Sequence, residues 1–154
     1  AGISGCGQKE LLEAIAGLQP IRKGKIDYLH RDGRIEDLVG KDPLEIAAIG
    51  VALSFVPEDR LGMGLVANMD LTDNMMLRSF RNGRSIFTDR KTPEHLAEKV
   101  VEELEVNTPN VETPVRRLSG GNVQKVLVGR EIAAAPTVLL SAMPCEDSTS
   151  TLRM

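Results

Sequence analysis

Cysteine and long apolar runs are scarce in this chain of 154 residues, and there is no excess of basic over acidic residues. The two cysteines, Cys6 and Cys145, lie near opposite ends without C-x-x-C spacing, which argues against a zinc site and favours reduced thiols in a cytosolic compartment. No apolar run approaches the roughly 20 residues of a membrane-spanning helix, and the start AGISGCGQKE lacks the pattern of an export signal. The net charge of -3 argues against a nucleic-acid-binding protein.

The order of predicted elements favours an α/β fold. The sequence predicts a helix after Gly7, a tight hairpin turn at Asp32-Gly33, a short helix entered through Asp42 and Pro43, and a buried strand at 51–56. Helices follow at 71–80 and 92–105, the latter with Thr92 as cap and Pro93 as first residue, then a helix opened by Gly120 and Gly121 and a strand at 137–142. No strand precedes the first glycine loop, so we expect a truncated domain.

The first candidate site is the glycine loop that opens the first helix. Gly2, Gly5 and Gly7 have the spacing of a phosphate-binding loop, in which backbone N–H groups turn toward phosphate oxygens. The usual lysine is replaced by Gln8, and Lys9 stands where a hydroxyl would bind Mg²⁺. Lys9 cannot substitute for the missing lysine, because one helical position rotates a side chain by about 100°. A glycine turn can also be a purely structural device.

The second candidate site is the run Leu118-Ser119-Gly120-Gly121-Asn122 at the start of a helix. The Ser119 hydroxyl can donate a hydrogen bond, the glycines permit close approach, and a helix N-terminus favours negative charge. Arg116, Arg117 and Lys125 lie nearby in the sequence. The run therefore suits an anion, although a glycine-rich helix cap is an alternative interpretation.

Together these motifs resemble the nucleotide-binding domain of ABC transporters. That family carries the signature LSGGQ and, later, an apolar strand ending in Asp-Glu-Pro. This chain has LSGGN at 118–122, called the signature run below, and then PTVLLSAMP. The segments GQKELLEAIAGL and FVPEDR are similar to the second half of tandem ATP-binding subunits that serve importers of simple sugars and nucleosides. The resemblance implies a P-loop NTPase-like domain truncated at both ends. It has an α/β core at 1–60 and 118–144, a mostly helical insert at 61–117 and an aberrant tail at 145–154.

The resemblance also implies roles for particular residues. Ala142 and Met143 occupy the places of the metal-binding aspartate and of the glutamate that polarises water, so the site of this half is expected to be degenerate. ABC domains work in pairs, so residues 118–122 would complete the ATP site of a second ATP-binding half. ATP and Mg²⁺ would bind mainly at that partner site, and whether this half is itself an enzyme stays open. Glu58, Asp59 and Arg60 would face membrane permease subunits, and a substrate-binding protein would be an indirect partner.

These implications place the protein peripherally at the cytoplasmic face of the membrane. Two alternatives remain: a soluble ABC protein that acts on ribosomes or DNA, and an interaction module that no longer handles nucleotide. The tail CEDSTSTLRM replaces the expected Gly-Leu-Asp turn. A reading-frame slip is one hypothesis for it, which DNA sequencing would test.

Overall fold

The structure is a computed structural model that describes residues 7–79 and 90–142. Gly2, Gly5 and Met143 lie outside the described residues, as do both cysteines and the tail at 145–154. Five α-helices and four strands are found in the described part: α1 (Gln8–Ile15), β1 (Asp27–Leu29), β2 (Ile35–Asp37), α2 (Pro43–Ala48), β3 (Leu53–Val56), α3 (Leu71–Ser79), α4 (Lys91–Glu103), α5 (Gly120–Ala133) and β4 (Val138–Ser141). A π-helix (Arg60–Gly64) follows β3, and a 3₁₀ turn (Val115–Arg117) precedes α5.

The strands form two small sheets. β1 and β2 pair antiparallel with Tyr28 opposite Glu36, whereas β3 and β4 pair parallel with Phe55 opposite Leu140. Parallel neighbours need a long crossover connection. Here α3, α4 and α5 lie between the two strands in the chain, so the signature run at 118–122 sits within that crossover.

Two apolar clusters hold these elements together. The smaller one joins Leu38, Ile46 and Val51 beneath the hairpin and α2. The larger one packs the helices α3, α4 and α5 on β3, and it contains Val56, Leu65, Leu71, Met75, Ala97, Val100, Val106, Val115, Val123, Val126 and Leu127. The helix α5 therefore packs against both the predicted insert and the sheet.

The predicted start of α4 is wrong. The helix begins at Lys91, so Thr92 lies inside it and Pro93 is its third residue. Proline is tolerated there because the N–H groups of the first turn have no intrahelical acceptor. Arg90 precedes the helix without a side-chain cap, but its guanidinium lies 3.1 Å from the Asp73 carboxylate at the start of α3. This tertiary ion pair anchors the helix start in place of a threonine cap.

The hairpin is where the sequence predicts it, but its turn is longer by one residue. The His30 amide donates to the Arg34 carbonyl at 2.8 Å, and the Gly33 amide donates to the His30 carbonyl at 3.0 Å. Gly33 alone adopts a left-handed conformation, with φ of 86°. This is the pattern of a three-residue loop. Asp32 instead accepts from Arg34, and these hydrogen bonds lower the pKa of the Asp32 carboxyl.

The apolar side chains of α1 are not all buried. Leu11 is 59% exposed, while Glu13 and Ala16 are the buried residues of this helix region. By contrast, the cap of α2 is confirmed in detail. The Asp42 carboxylate accepts from the amides of Leu44 and Glu45, and the Glu45 side chain accepts from the Asp42 amide.

Candidate functional site

The start of α5 presents a serine whose hydroxyl is oriented by its own helix. Ser119 is the N-cap, and its Oγ accepts from the Asn122 side-chain amide at 3.0 Å and, weakly, from the Asn122 backbone amide at 3.5 Å. A hydroxyl has two acceptor lone pairs and one hydrogen to donate. Among the described residues no acceptor receives that hydrogen, and Ser119 is exposed. The hydroxyl is therefore available to a ligand.

Asn122 also fixes the loop beside the signature run. Its Oδ1 accepts from the Asn107 amide at 3.0 Å, and its Nδ2 donates to the Asn107 carbonyl at 3.3 Å. A shallow cavity of about 550 Å³ lies between the loop and the helix start. Its polar lining includes Asn110, Thr113 and Arg117, together with Ser119 and Asn122 themselves. The loop thus forms one wall beside the exposed hydroxyl.

The loop after β3 is linked directly to the same helix start. Glu58 and Asp59 are exposed, and the Asp59 carboxylate caps the π-helix by accepting from the Gly62 amide at 2.8 Å. Arg60 turns toward α5, where its Nη1 donates to the Gly120 carbonyl at 3.2 Å. The structure therefore brings together Arg60 and residues 118–122, two predicted sites that are about 60 positions apart in the chain.

A buried charge cluster supports α5 at its other end. The Glu131 carboxylate, 2% exposed, lies 2.8 Å from the Arg78 guanidinium and 2.9 Å from that of Arg130. Arg130 also donates to the Gly64 carbonyl at 2.7 Å, and Arg78 donates to the Ser54 hydroxyl at 2.7 Å. Burial lowers the pKa of the Arg130 guanidinium, against the opposing effect of Glu131. Such a cluster is costly to disrupt, since losing one partner leaves a buried charge uncompensated.

The described part of the glycine loop differs from the start of α5. Gly7 caps α1 in a left-handed conformation with φ of 79°, and α1 has no side-chain cap. Gln8 is exposed. The Lys9 ammonium lies 3.9 Å from the Glu13 carboxylate one turn along the same helix. Glu13 also accepts from Gln19 at 3.2 Å. The Lys9 side chain is thus directed toward Glu13, one turn further along the same helix.

The end of β4 offers no ligand for a cation. The Ala142 amide donates to the Val56 carbonyl at 2.9 Å, which extends the parallel pairing by one residue. Its methyl side chain cannot coordinate a metal, and an ammonium at Lys9 would repel one. Across residues 7–79 and 90–142, no group of three or more His, Cys, Asp or Glu side chains is placed to hold a metal ion. The described residues at the start of α1 and at the end of β4 therefore do not fit Mg²⁺.

Sequence reasoning missed three contributors to the site: Asn107, Arg78 and Glu131. The first forms hydrogen bonds through its backbone, so its side chain carries no signal. The other two are charges in or beside apolar helical runs, where an unpaired charge would be costly. That context alone indicates that each charge belongs to a buried ion pair, although it does not identify the partner.

No helix in the described part of the chain is long and apolar enough to cross a membrane.

Known proteins share this sequence and arrangement. A sequence model of the ABC transporter family matches residues 1–142. The chain is 37% identical over 147 residues to "Ribose import ATP-binding protein RbsA 1" of Rubrobacter xylanophilus, with 94% of this chain and 28% of that protein covered. It is 34% identical over 147 residues to "Guanosine import ATP-binding protein NupO" of Bacillus subtilis, with the same two shares covered. The chain thus spans less than a third of the length of these curated relatives.

Solved structures show the same fold. A dimeric ATP-binding cassette in a post-hydrolysis state, bound to ADP and phosphate, superposes with a TM-score of 0.68 at 21% identity, covering 91% of this chain and 57% of that one. A nucleotide-free cassette from an ABC transporter gives a TM-score of 0.60 over 91% of this chain and 55% of the other. These likenesses confirm the predicted α/β fold class. With the family match over 142 of its residues, the chain belongs to the ABC transporter family.

Proposed function

We propose that this chain is part of the ATP-binding subunit of an importer for simple sugars or nucleosides, bound peripherally at the cytoplasmic face of the membrane. In this role it supplies the signature run at 118–122 to ATP held by a second ATP-binding half. The proposed cargo follows from relatives named for the import of ribose, xylose, glucose and guanosine. A substrate-binding protein would deliver the cargo to the permease.

The observation that carries the proposal is the open start of α5. The Ser119 hydroxyl hydrogen has no acceptor in the described part of the chain, and a Cβ added to Gly121 would meet no heavy atom within 4 Å. Backbone N–H groups at a helix N-terminus and the helix dipole both favour an anion. These features fit the terminal phosphate of an ATP molecule whose other contacts come from a second domain.

The residues of the glycine loop and of the end of β4 support the proposal that this chain contributes little chemistry to its own site. Phosphoryl transfer depends on positioning and on neutralising charge with lysine and metal. Gln8 and Ala142 lack the required groups, Lys9 is paired with Glu13, and Met143 replaces the remaining carboxylate by its sequence position. We therefore propose that hydrolysis takes place at the partner half, where ATP and Mg²⁺ would bind together.

The permease contact is proposed for the surface next to the exposed carboxylates Glu58 and Asp59. Four apolar side chains of the π-helix and the loop after it are exposed: Leu61, Met63, Val66 and Met69. Exposed apolar groups rimmed by charge are typical of protein interaction sites. Unbranched methionine side chains adapt well to a partner surface. Together these residues would form the contact with the membrane subunit.

A pair of arginine substitutions tests the proposed asymmetry. Ser119→Arg would place a bulky side chain where the phosphate must approach, and Gly7→Arg would disrupt the loop of this half to a similar extent. We expect Ser119→Arg to reduce ATPase activity and transport more than tenfold, because a charge-assisted hydrogen bond contributes roughly 1.5 to 3 kcal/mol. Gly7→Arg should reduce ATPase activity and transport much less than Ser119→Arg does. Both are measured in the tandem subunit reconstituted with its permease.

The outcomes separate the candidate functions. An equal loss in the two variants would show that both sites of the pair are needed, which contradicts a degenerate half. Full activity of Ser119→Arg would overturn the proposed role of the signature run. A different result would be that Ser119→Arg loses transport although the wild type has no ATPase activity. That result would favour an interaction module that does not handle nucleotide. Thermal melting of each variant checks that the folded state is retained.

A further inference from the structure

We infer that Arg60 is a positioning residue for the signature run: its guanidinium holds the start of α5 to the loop after β3, so that the π-helix and α5 move together. This inference rests on the proposed function of residues 118–122. It assigns Arg60 a role inside the chain, whereas the sequence pattern predicts only that Arg60 faces the membrane subunits.

The first support is the contact at the start of α5. The Arg60 Nη1 donates to the carbonyl of Gly120, the residue that directly follows the Ser119 cap. A Cβ built on Gly120 would lie 3.4 Å from the Arg60 Nη1. The guanidinium therefore lies against the backbone of the signature run, on a side that the glycine leaves open. A displacement of Arg60 would be felt first at Gly120 and Ser119.

The second support is a matching attachment at the other end of the π-helix. The Gly64 carbonyl accepts from the Arg130 Nη2 at 2.7 Å, and Arg130 is only 7% exposed. A Cβ added to Gly64 would lie 2.7 Å from the Leu127 Cδ2, so the backbone there packs directly on α5. The π-helix is thus joined to α5 near both of its ends, by one arginine from each element.

The π-helix between these attachments is itself compact. The amides of Met63 and Gly64 both donate to the Asp59 carbonyl, at 3.2 and 3.1 Å, and the Leu65 amide donates to the Arg60 carbonyl at 2.7 Å. π-helical turns are rare and are frequently found at functional sites. Because Asp59 caps this turn and is exposed, a partner that moves Asp59 would carry Arg60 with it. The contact with Gly120 would pass that movement to Ser119.

The first test measures the attachment in this chain by hydrogen exchange. Arg60→Met keeps the length of the side chain but removes its donors, and Arg60→Lys keeps the charge without the planar fork. We expect amide exchange in the peptide 119–126 to be about fivefold faster in Arg60→Met than in the wild type, and intermediate in Arg60→Lys. Arg31→Met is the matched control, because Arg31 is exposed on the hairpin turn and its side chain makes no hydrogen bond or ion pair within the described residues.

The second test separates positioning from direct contact with the permease. ATPase activity of the tandem subunit is measured without its permease, in Arg60→Met, Ser119→Arg and the control Arg31→Met. A positioning role predicts at least a fivefold lower kcat in Arg60→Met even when no permease is present, because the misplaced signature affects the ATP site itself. A residue that only contacts the permease would lower activity only in the assembled transporter.

Each outcome has a definite meaning. Unchanged exchange in the peptide 119–126 of Arg60→Met would overturn the attachment. Normal permease-free ATPase activity in Arg60→Met, with Ser119→Arg inactive, would overturn the positioning role and leave the proposed function intact. Full activity of Ser119→Arg would overturn the proposed function, and the exchange experiment would still decide whether Arg60 holds α5. Faster exchange throughout the chain would indicate general destabilisation and count against a local role.

Discussion

Asn122 holds together two segments that lie fifteen residues apart in the chain. Its side-chain amide uses both ends: the oxygen accepts from the Asn107 amide, and the nitrogen donates to Asn107 and to the Ser119 hydroxyl. The family signature LSGGQ has glutamine at this position, and the asparagine of this chain is one methylene group shorter. In this chain the asparagine serves the adjoining loop and the cap at once. It thereby orients the hydroxyl proposed to meet phosphate.

We predict that Asn122→Ala loosens this loop. The substitution removes the acceptor of the Asn107 amide, so exchange of that amide should become at least about fivefold faster, as expected for a net contribution of about 1 kcal/mol per hydrogen bond. Amide exchange followed by NMR measures it directly. Glu102→Ala, at an exposed position of α4, is the control. Equal protection of the Asn107 amide in Asn122→Ala and the wild type would contradict the bridging role.

At the scale of single residues, the sequence predicts local contacts and misses contacts between residues far apart in the chain. The Asp42 cap is predicted correctly, because the capping carboxylate and the amides that donate to it lie within three residues of each other. The contact of Arg60 with Gly120 joins residues 60 positions apart. No pattern in the intervening sequence indicates which carbonyl an arginine will reach, so the prediction that Arg60 belongs to the membrane-facing loop stays a prediction.

Among the elements, α4 and α5 pack unusually closely at one point. A Cβ added to Gly129 of α5 would lie 2.6 Å from the Val100 Cγ1 and 3.0 Å from the Leu104 Cδ1 of α4. Glycine here costs helix propensity but allows the two backbones to approach. The close approach holds α5 against the helices around it, and so fixes the direction in which its N-terminus points.

Two alanine substitutions in the same helix test this packing. Gly129→Ala and Gly121→Ala share a gain in helix propensity, but only the first introduces a clash, because Gly121 has open space around it. We expect Gly129→Ala to be less stable than Gly121→Ala by about 1 to 3 kcal/mol, the usual cost of overpacking. Urea denaturation of both variants gives the difference. Equal free energies of unfolding would show that α4 yields easily at this contact.

The error at the start of α4 has a physical explanation. The Arg90 guanidinium lies 3.1 Å from the Asp73 carboxylate of α3, so a tertiary contact competes with the local preference for Thr92 as cap. The elements themselves were predictable because their apolar periodicity and glycine turns are strong. This boundary depends on a neighbour from another helix.

At the scale of the whole molecule, the chain has two glycine-flanked helix starts of opposite character. The start of α5 has a serine cap, an open approach and an arginine against its first carbonyl. The start of α1 has no side-chain cap, and the Lys9 ammonium in its first turn lies nearest to the Glu13 carboxylate. The family resemblance predicts that only the start of α5 keeps its function, and this stays a prediction. The attachments that position α5 required the structure.

This asymmetry leads to the last prediction, that the chain alone hydrolyses no ATP above background. Loss of a single preorganised group that stabilises transition-state charge already costs about 10² to 10³ in kcat. By the family resemblance, Gln8, Ala142 and Met143 stand in the places of the phosphate-loop lysine, the metal ligand and the carboxylate that polarises water. Phosphate release should therefore match that of a mock purification, with Mg²⁺ or with EDTA. Release that depends on Mg²⁺, rises in proportion to the chain and is abolished in Gly7→Arg would show that the site of this half is active after all.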